Sequence, residues 1–370
     1  MHKNFVRLVA VFVVVLAGVG PAMAVTPGQT HAMTQESCSF PFTATDATGT
    51  DVTVDAEVES VVALQPSAAQ TMWEIGAEEK VTGMPVNDYT SDLAGAESRE
   101  NIVAEDQFTV NVEKVVALDP DLVLAPNIVP DNTVSKLRDA GLTVYKFESA
   151  ASIEAVYEKT LLTGKLVGAC GGAQERVDAM KAQVDTIEQA TEGEDKPRVL
   201  YLTGGFTAGN GTFIHSLIER AGGQNVAAEA GISGYAQISD EVVAEYDPEF
   251  IVVDTGVPEP RIPEKEPYTN TTAVKEGNVV VLEANELNQP APRIVNPLTQ
   301  MAKAFHPEAY AAANITETET TAQQTEMTDG ATSGTTTEPT ATTSTDGPGF
   351  GITAALLALV CAALVALRRT

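Results

Sequence analysis

The chain has 370 residues and carries 51 Asp and Glu residues against 22 Lys and Arg residues, a formal net charge of −29. This length allows about two domains, and the acidity excludes a nucleic-acid-binding protein, which needs a basic face. The excess also suits solubility at very high salt, where the Debye length is only ~3 Å and self-repulsion is screened. We therefore expect a protein from a halophile.

Residues 1–24 are typical of a secretory signal peptide. Lys3 and Arg7 give a basic start, an apolar stretch follows, and Ala22-Met23-Ala24 matches a small-residue cleavage site. We expect the mature chain to begin after it with a flexible segment, residues 25–40, and to fold outside the cytoplasm.

Residues 41–150 are predicted to form a first α/β lobe. Thr43–Val54 alternates in polarity around a Thr-Gly-Thr centre, which predicts a hairpin. Pro66 and Ser67 are expected to open a helix that ends near Gly76. The remaining short apolar runs predict the strands Val61–Leu64, Val81–Met84 and Val144–Phe147.

Residues 151–195 are predicted to be connecting helices, and residues 196–310 a second α/β lobe. From Ala173 onward, apolar residues recur at helical spacing, and a helix of that length forms a rigid strut between lobes. The second lobe is predicted to contain two further strands, a glycine-rich loop and a last helix stopped by Pro307. These segments are Arg198–Leu202, Val279–Leu282, Thr203–Gly211 and Arg293–Phe305.

The segments 111–124 and 239–252 follow one rule. Each starts with a good N-cap residue and has a glutamate two places later, where the helix dipole favours negative charge. Six residues further on comes Asp-Pro-acid, and then an apolar run. Each copy predicts a helix, a tight turn and a buried strand, with Asp119 and Asp247 expected in extended geometry before proline. One chain with two similar α/β lobes is the expected architecture.

The C-terminal region changes composition twice. Residues 311–347 are rich in Thr, Glu, Ser and Gly and predict an extended stalk without a core. Residues 348–370 begin with Pro348-Gly349-Phe350, continue as an apolar stretch near the length that a bilayer needs, and end with arginines. The folded part is therefore expected to face outwards.

The cysteines and histidines show no ligand spacing, so neither a metal site nor a cofactor is predicted. Cys38 and Cys170 can pair, although nothing in the sequence around them requires it. Three asparagines begin an N-x-Thr sequon, which allows glycosylation on an exported chain: Asn210, Asn270 and Asn314.

At this point the sequence resembles a known family. The order and spacing of several stretches are similar to class III periplasmic-type substrate-binding proteins of the cobalamin and ferric-siderophore group. The stretches are residues 61–67, 113–124, 206–209, 221–225, 241–253 and 292–293. The resemblance implies two Rossmann-like lobes joined by a long backbone helix, and a receptor rather than an enzyme. Its ligand would be a metal chelate, and its partner the permease dimer of an ABC transporter with its ATPase.

The resemblance also implies roles for individual residues. One docking glutamate per lobe falls on Glu113 and Glu241, and these would pair with arginines of the permease subunits. The residues implied to bind ligand in the cleft are Pro66, Ser67, Tyr89, Phe108, Phe206, Tyr235 and Arg293. The aromatic residues would give flat contact to a corrin or catecholate, and Arg293 would meet a carboxylate or an anionic chelate.

The tail resembles the archaeal PGF-CTERM sorting signal. In that family a sortase-like enzyme removes the tail and a lipid replaces it, which implies a chain anchored at its C-terminus on the outer face of the cell membrane. The alternative is an uncut transmembrane helix.

Other functions are weaker alternatives. An extracellular hydrolase lacks a Gly-x-Ser-x-Gly elbow and a histidine in a triad setting, and Gly204-Gly205 is not followed by the Lys-Ser/Thr of a phosphate loop. A purely structural surface protein would leave the aromatic loop residues without a purpose. Within the receptor reading, cobalamin, a ferric siderophore and haem stay open.

Overall fold

A computed structural model of the chain describes residues 38–106 and 109–313. The predicted signal peptide, Phe108, Asn314, residues 315–347 of the predicted stalk and the motif Pro348-Gly349-Phe350 lie outside the described residues. The stalk prediction is wrong at its start, because the last helix of the described residues extends to Ala312. Within the described ranges, no helix is both long enough and apolar enough to cross a membrane.

The elements alternate between strands and helices along most of the chain. The strands are β1 (Phe42–Thr45), β2 (Asp51–Val54), β3 (Val61–Ala63), β4 (Val81–Met84), β5 (Glu100–Asn101), β6 (Leu122–Ala125), β7 (Val144–Lys146), β8 (Arg198–Leu202), β9 (Phe206–Ala208), β10 (Gln224–Asn225), β11 (Tyr235–Gln237), β12 (Phe250–Asp254) and β13 (Val279–Leu282). The helices are α1 (Pro66–Glu74), α2 (Val112–Ala117), α3 (Asp131–Asp139), α4 (Ile153–Val167), α5 (Cys170–Thr191), α6 (Phe213–Arg220), α7 (Val226–Glu229), α8 (Asp240–Tyr246), α9 (Thr272–Glu276), α10 (Ala284–Leu287), α11 (Val295–Phe305) and α12 (Pro307–Ala312). Short 3₁₀ helices cover Glu78–Lys80, Asp88–Thr90, Ala96–Ser98, Tyr268–Asn270 and Pro292–Ile294.

Each lobe is built on a parallel sheet. The first lobe has the strand order β5-β4-β3-β6-β7 and the second has β10-β8-β12-β13. In both sheets the strand that ends the repeat, β6 or β12, lies beside the first strand of that parallel sheet along the chain, β3 or β8. Helices cover both faces, which is why the central strands are almost wholly apolar. The α/β fold class with two Rossmann-like lobes is confirmed.

The helices α4 and α5 form an antiparallel pair that belongs to both lobes. The C-terminal end of α4 and Ala173 of α5 pack in the core of the first lobe. The N-terminal part of α4 and the rest of the α5 stripe pack in the core of the second. The buried α5 residues are Ala173, Val177, Met180, Val184 and Ile187, as the periodicity predicts. The pair is therefore a strut held by two hydrophobic cores.

The two copies of the repeat fold alike. Asn111 and Ser239 cap their helices by accepting hydrogen bonds from Lys114 N and Val242 N. The expected extended geometry of the next aspartates is wrong, because Asp119 and Asp247 have φ of 45° and 41°. Each ends its helix with one residue in the left-handed conformation, which Asp tolerates better than most side chains. The turn into the strand is then made before the proline is reached.

Other boundaries also differ from the sequence prediction. The short strands β5, β9, β10 and β11 were not predicted, and Pro307 opens α12 instead of ending the helical region. Helix α5 begins at Cys170, before Ala173, and so includes Gly172. This position needs glycine for packing, because a Cβ there would lie 2.1 Å from the Ile75 carbonyl oxygen. Cys170 forms a disulfide with Cys38, which resolves the pairing that the sequence left open.

Candidate functional site

A cleft of about 510 Å³ lies between the two lobes. The loops that line it follow the carboxyl ends of parallel strands, where ligand sites of open α/β sheets occur. In the first lobe these loops follow β3, β4, β6 and β7, and the residues are Gln65, Pro66, Ser67, Asn87, Tyr89, Pro126, Asn127, Ile128, Ser149, Ala150 and Ala151. The second lobe contributes Tyr201, Thr203, Gly211, Thr212, Phe213, Tyr235, Leu287, Asn288, Gln289 and Pro290.

The lining is uncharged. Amides, hydroxyls and apolar groups make up the cleft surface, and none of the lining residues in the described ranges is Asp, Glu, Lys, Arg or His. In the same part of the chain, no cluster of three or more His, Cys, Asp or Glu residues could hold a metal ion. In a chain with a net charge of −29, a neutral cleft indicates a ligand bound by shape and neutral hydrogen bonds.

Tyr201 supplies a buried hydroxyl at the second-lobe wall. Its Oη donates a hydrogen bond to Asp254 Oδ2 at 3.0 Å and lies 3.2 Å from Asn288 Oδ1. Burial raises the pKa of the Tyr201 hydroxyl, and the neighbouring Asp254 charge raises it further. The phenol therefore stays neutral at any physiological pH.

Lys159 of α4 lies beneath the cleft. Its Nζ donates to the Pro290 carbonyl at 3.1 Å, lies 3.5 Å from Ser67 Oγ and sits 5.7 Å from the centroid of the Phe147 ring. Burial lowers the pKa of Lys159 to about 8. Among the described residues no carboxylate pairs with this ammonium group. Lys159 thus joins Ser67 of the first lobe to Pro290 of the second, and it is not one of the residues that line the cleft.

Arg293 lies at the joint between the lobes, outside the cleft lining. Its Nε contacts Glu74 Oε1 at 2.7 Å, and its guanidinium also pairs with Asp92. Glu74 is shared with Arg176 of α5, whose Nε lies 2.7 Å from Oε2. The guanidinium is thereby committed to carboxylates of the first lobe. In this arrangement Arg293 holds the second lobe to the first, and its contact with an anionic ligand stays a prediction.

The other predicted ligand residues within the described ranges fall in or beside the cleft. Pro66, Ser67 and Tyr89 line it from the first lobe and Tyr235 from the second, with Tyr235 60% exposed. Phe206 does not line the cleft. Its backbone pairs with that of Thr203, which does line the cleft. It shares a two-stranded ribbon with Tyr235 and is 45% exposed. The roles of all these residues in binding stay predictions.

Several cleft residues escaped the sequence reasoning. Ile128 is 68% exposed at the first-lobe side, and Asn288 and Gln289 follow β13 through α10. Their position after strand ends was a usable signal, because the loops after β6 and β13 had to face the cleft. Nothing in the sequence around Lys159 distinguishes it from an exposed lysine on a helix.

The predicted docking glutamates occupy matching positions outside the cleft. Glu113 and Glu241 are exposed in the first turns of α2 and α8. Within the described residues neither carboxylate forms an ion pair, although neighbouring Lys114 pairs with Glu100 and Asp240 pairs with Lys265. Each lobe therefore presents one unpaired carboxylate at the same point of its repeat.

Comparison with known proteins agrees with this architecture. A family model described as periplasmic binding protein matches residues 61–286. A cobalamin-binding protein of Halobacterium salinarum is 44% identical over 320 residues, 83% of this chain and 86% of the relative. The ABC transporter substrate-binding lipoprotein YvrC of Bacillus subtilis is 28% identical over 287 residues, 75% and 89% of the two chains.

Among solved structures, the apo periplasmic heme-binding protein RhuT from Roseiflexus sp. RS-1 has a TM-score of 0.61. It is 23% identical, with 68% of this chain and 99% of that chain covered, so this likeness concerns the fold alone. The family match and the 44% identical relative show family membership as well as a shared fold. The chain belongs to the periplasmic binding protein family and is a substrate-binding component of an ABC transporter, not an enzyme.

Proposed function

We propose that this protein captures a corrinoid, cobalamin in the first instance, outside the cell and delivers it to the permease dimer of an ABC importer. The observation that carries the proposal is the neutral cleft, lined by amides, hydroxyls and apolar side chains. Cobalamin has an uncharged rim of amides around a flat ring, and such a lining matches it. The 44% identical relative named as a cobalamin-binding protein supports the same ligand class.

The rival chelates need charges that the cleft does not offer. Ferric catecholates and haem carry negative groups, and sites for such anions use arginine or lysine. Arg293, the implied anion partner, is held by Glu74 and Asp92. Haem stays the second candidate because Tyr89 and Tyr235, one from each lobe, line the cleft and a tyrosine oxygen can ligate iron.

The cleft would hold the ligand between two walls of different character. Part of a corrinoid placed there would reach the opening of the cleft. There it would meet the side chains of Ile128 and Tyr235, which are exposed large hydrophobic residues of the described ranges. The aromatic and aliphatic contact would supply affinity, and the amides within the cleft would fix orientation.

Delivery would use Glu113 and Glu241. Two carboxylates at equivalent points of two similar lobes suit a partner with twofold symmetry, such as the paired subunits of a permease with its ATPase. The predicted stalk and PGF-type signal would keep the receptor at the outer face of the membrane after a sortase-like enzyme has acted.

The test is calorimetric titration of the purified full chain at molar salt with cyanocobalamin, cobinamide, haemin and a ferric catecholate. We expect the corrinoids to bind with a Kd of ~1 µM or tighter and the anionic chelates roughly 100-fold more weakly. Tyr235→Ala should weaken cobalamin about tenfold through lost ring contact, whereas Tyr246→Ala, outside the cleft, should not. Tighter binding of haemin or of the ferric catecholate than of cobalamin would overturn the proposal.

A further inference from the structure

Gln289 holds a fixed position in the cleft. The residue is 5% exposed and lines the cleft from the second lobe. Its Nε2 donates a hydrogen bond to the Tyr89 carbonyl of the first lobe at 3.1 Å. Since a carbonyl oxygen can only accept, the amide nitrogen must be the atom that faces Tyr89. The orientation of the Gln289 amide follows from this contact.

The other end of the amide has no partner. Gln289 Oε1 is buried, and among the described residues no group donates a hydrogen bond to it. Native proteins leave few buried acceptors unpaired, because such a group has lost its water without gaining a partner. Next to a ligand space, an unpaired acceptor is expected to meet a donor on the ligand.

The backbone around Gln289 is held on both sides. Ala291 N donates to the Gln289 carbonyl at 2.8 Å, and Lys159 Nζ donates to the next carbonyl, that of Pro290, at 3.1 Å. Further back, Gln70 Nε2 of the first lobe donates to the Asn285 carbonyl at 3.3 Å. The backbone of Gln289 is therefore held before any ligand arrives, and the buried Oε1 is uncovered by a side-chain movement as the ligand enters the cleft.

We propose that Gln289 Oε1 accepts a hydrogen bond from the N–H of a peripheral amide of the corrinoid, and so selects amidated corrinoids over those with a carboxylate at that place. The inference rests on the proposed function and adds a specificity-determining residue to it. A carboxylate has no hydrogen to donate near neutral pH, so it would leave Oε1 unpaired and place a negative charge against a carbonyl oxygen. The site thus discriminates against a corrinoid that lacks the one N–H donor for Gln289 Oε1.

The experiment compares cobalamin with its isomeric monocarboxylic acids, each made by hydrolysing one peripheral amide. Binding of each is measured by calorimetry to the full chain, as wild type and as Gln289→Ala. A second variant, Gln289→Met, keeps the volume in case the cavity left by alanine disturbs folding. Gln183→Ala is the matched control, because Gln183 donates to Thr299 Oγ1 and does not line the cleft.

Wild type should bind at least one monocarboxylate roughly tenfold more weakly than cobalamin. For that isomer the difference should shrink to about twofold or less in both Gln289 variants and persist in Gln183→Ala. Loss of the Tyr89 contact alone would weaken every ligand equally and leave the ratio unchanged. A wild type that binds every isomer like cobalamin, or variants that keep the ratio, would overturn the inference. A wild type that binds none of these corrinoids would overturn the proposed function as well.

Discussion

The two lobes share a scaffold but contribute different loops. In each, a capped helix ends in a left-handed aspartate and leads through proline into a strand beside the first strand of the sheet. No residue that lines the cleft comes from the repeated segments 111–124 and 239–252. The comparison teaches that the repeat builds the framework and carries the predicted docking acids, whereas the cleft is lined by loops that the lobes do not share.

The repeat also differs between lobes in detail. In the first lobe Asp121 Oδ2 accepts from the backbone of Glu59 and Ser60, both at 2.9 Å. The equivalent Glu249 Oε2 accepts from Arg198 N at 2.9 Å. Both acids thus fix the start of the neighbouring strand, with two backbone donors in the first lobe and one in the second. Asp121 and Glu249 therefore have the same structural role, although the hydrogen bonds that they accept differ.

The largest expected effect tests whether both lobes dock. Reversing both exposed carboxylates, Glu113→Arg with Glu241→Arg, should reduce cobalamin uptake by intact cells at least ~100-fold, because two like charges would then face the permease arginines. Affinity of the purified chain for cobalamin should stay the same. If the lobes act as equals, the two single reversals should weaken uptake to a similar degree.

The control for charge is Glu158→Arg with Glu175→Arg. These glutamates are exposed on α4 and α5 and, within the described residues, form no ion pair. Uptake should stay near wild type. Loss of ligand affinity in the Glu113 and Glu241 variants, or unchanged uptake, would contradict the docking assignment.

The second prediction concerns Lys159, where the lobes meet. Burial holds its pKa at about 8, against 10.5 in the unfolded chain. The folded state therefore releases this proton first, and wild type should gain stability as pH rises from about 8 to 10.5. Relative to Lys159→Met, the gain in unfolding free energy should be on the order of 3 kcal/mol. Urea unfolding of both proteins across this range measures the difference.

The exposed Lys136 of α3 provides the comparison for this titration. Lys136→Met removes no buried charge, so its difference from wild type should not change over the same pH range. A difference between wild type and Lys159→Met that is also constant would show that the ammonium is not buried at the joint.

The smallest expected effect is a difference in stability between variants of Asp119 and Asp247, the two aspartates with a left-handed backbone conformation. Asp247 accepts hydrogen bonds from Thr272 N and Oγ1, both at 2.8 Å, and these bonds lower its pKa. Asp119 is exposed and, among the described residues, its side chain accepts none. Because glycine adopts positive φ freely, Asp119→Gly should be nearly neutral, whereas Asp247→Gly should cost about 1–2 kcal/mol of unfolding free energy. Equal losses would mean that the Thr272 contacts contribute nothing.

Local sequence predicted the scaffold well. The strands Val81–Met84, Arg198–Leu202 and Val279–Leu282 match the structure in full, because buried parallel strands are short apolar runs with clear boundaries. The strut followed from helical spacing of apolar residues. The short strands β5, β10 and β11 were missed because two or three residues do not establish a period. The left-handed conformation of Asp119 and Asp247 was missed, because the geometry of the helix end outweighed the preference of a residue before proline for extended backbone.

The site was predicted only in part, since contacts across the cleft are set by tertiary structure. The family resemblance predicted Tyr89 and Tyr235 in the cleft, and both line it. Arg293 was expected beside the ligand, and nothing in the sequence showed that Glu74 and Asp92 would surround it. Gln289 looked like an ordinary loop amide, and only the distant Tyr89 carbonyl gives it an orientation.

The shared strut has a mechanical consequence. Because α4 and α5 pack in both hydrophobic cores, spreading the lobes would bend a helix pair or strip apolar contacts from one of them. The separation of the lobes in the free receptor is thus nearly constant, and release of a tightly bound ligand requires a force applied by a binding partner. A partner that grips one point on each lobe would have the leverage to do that work.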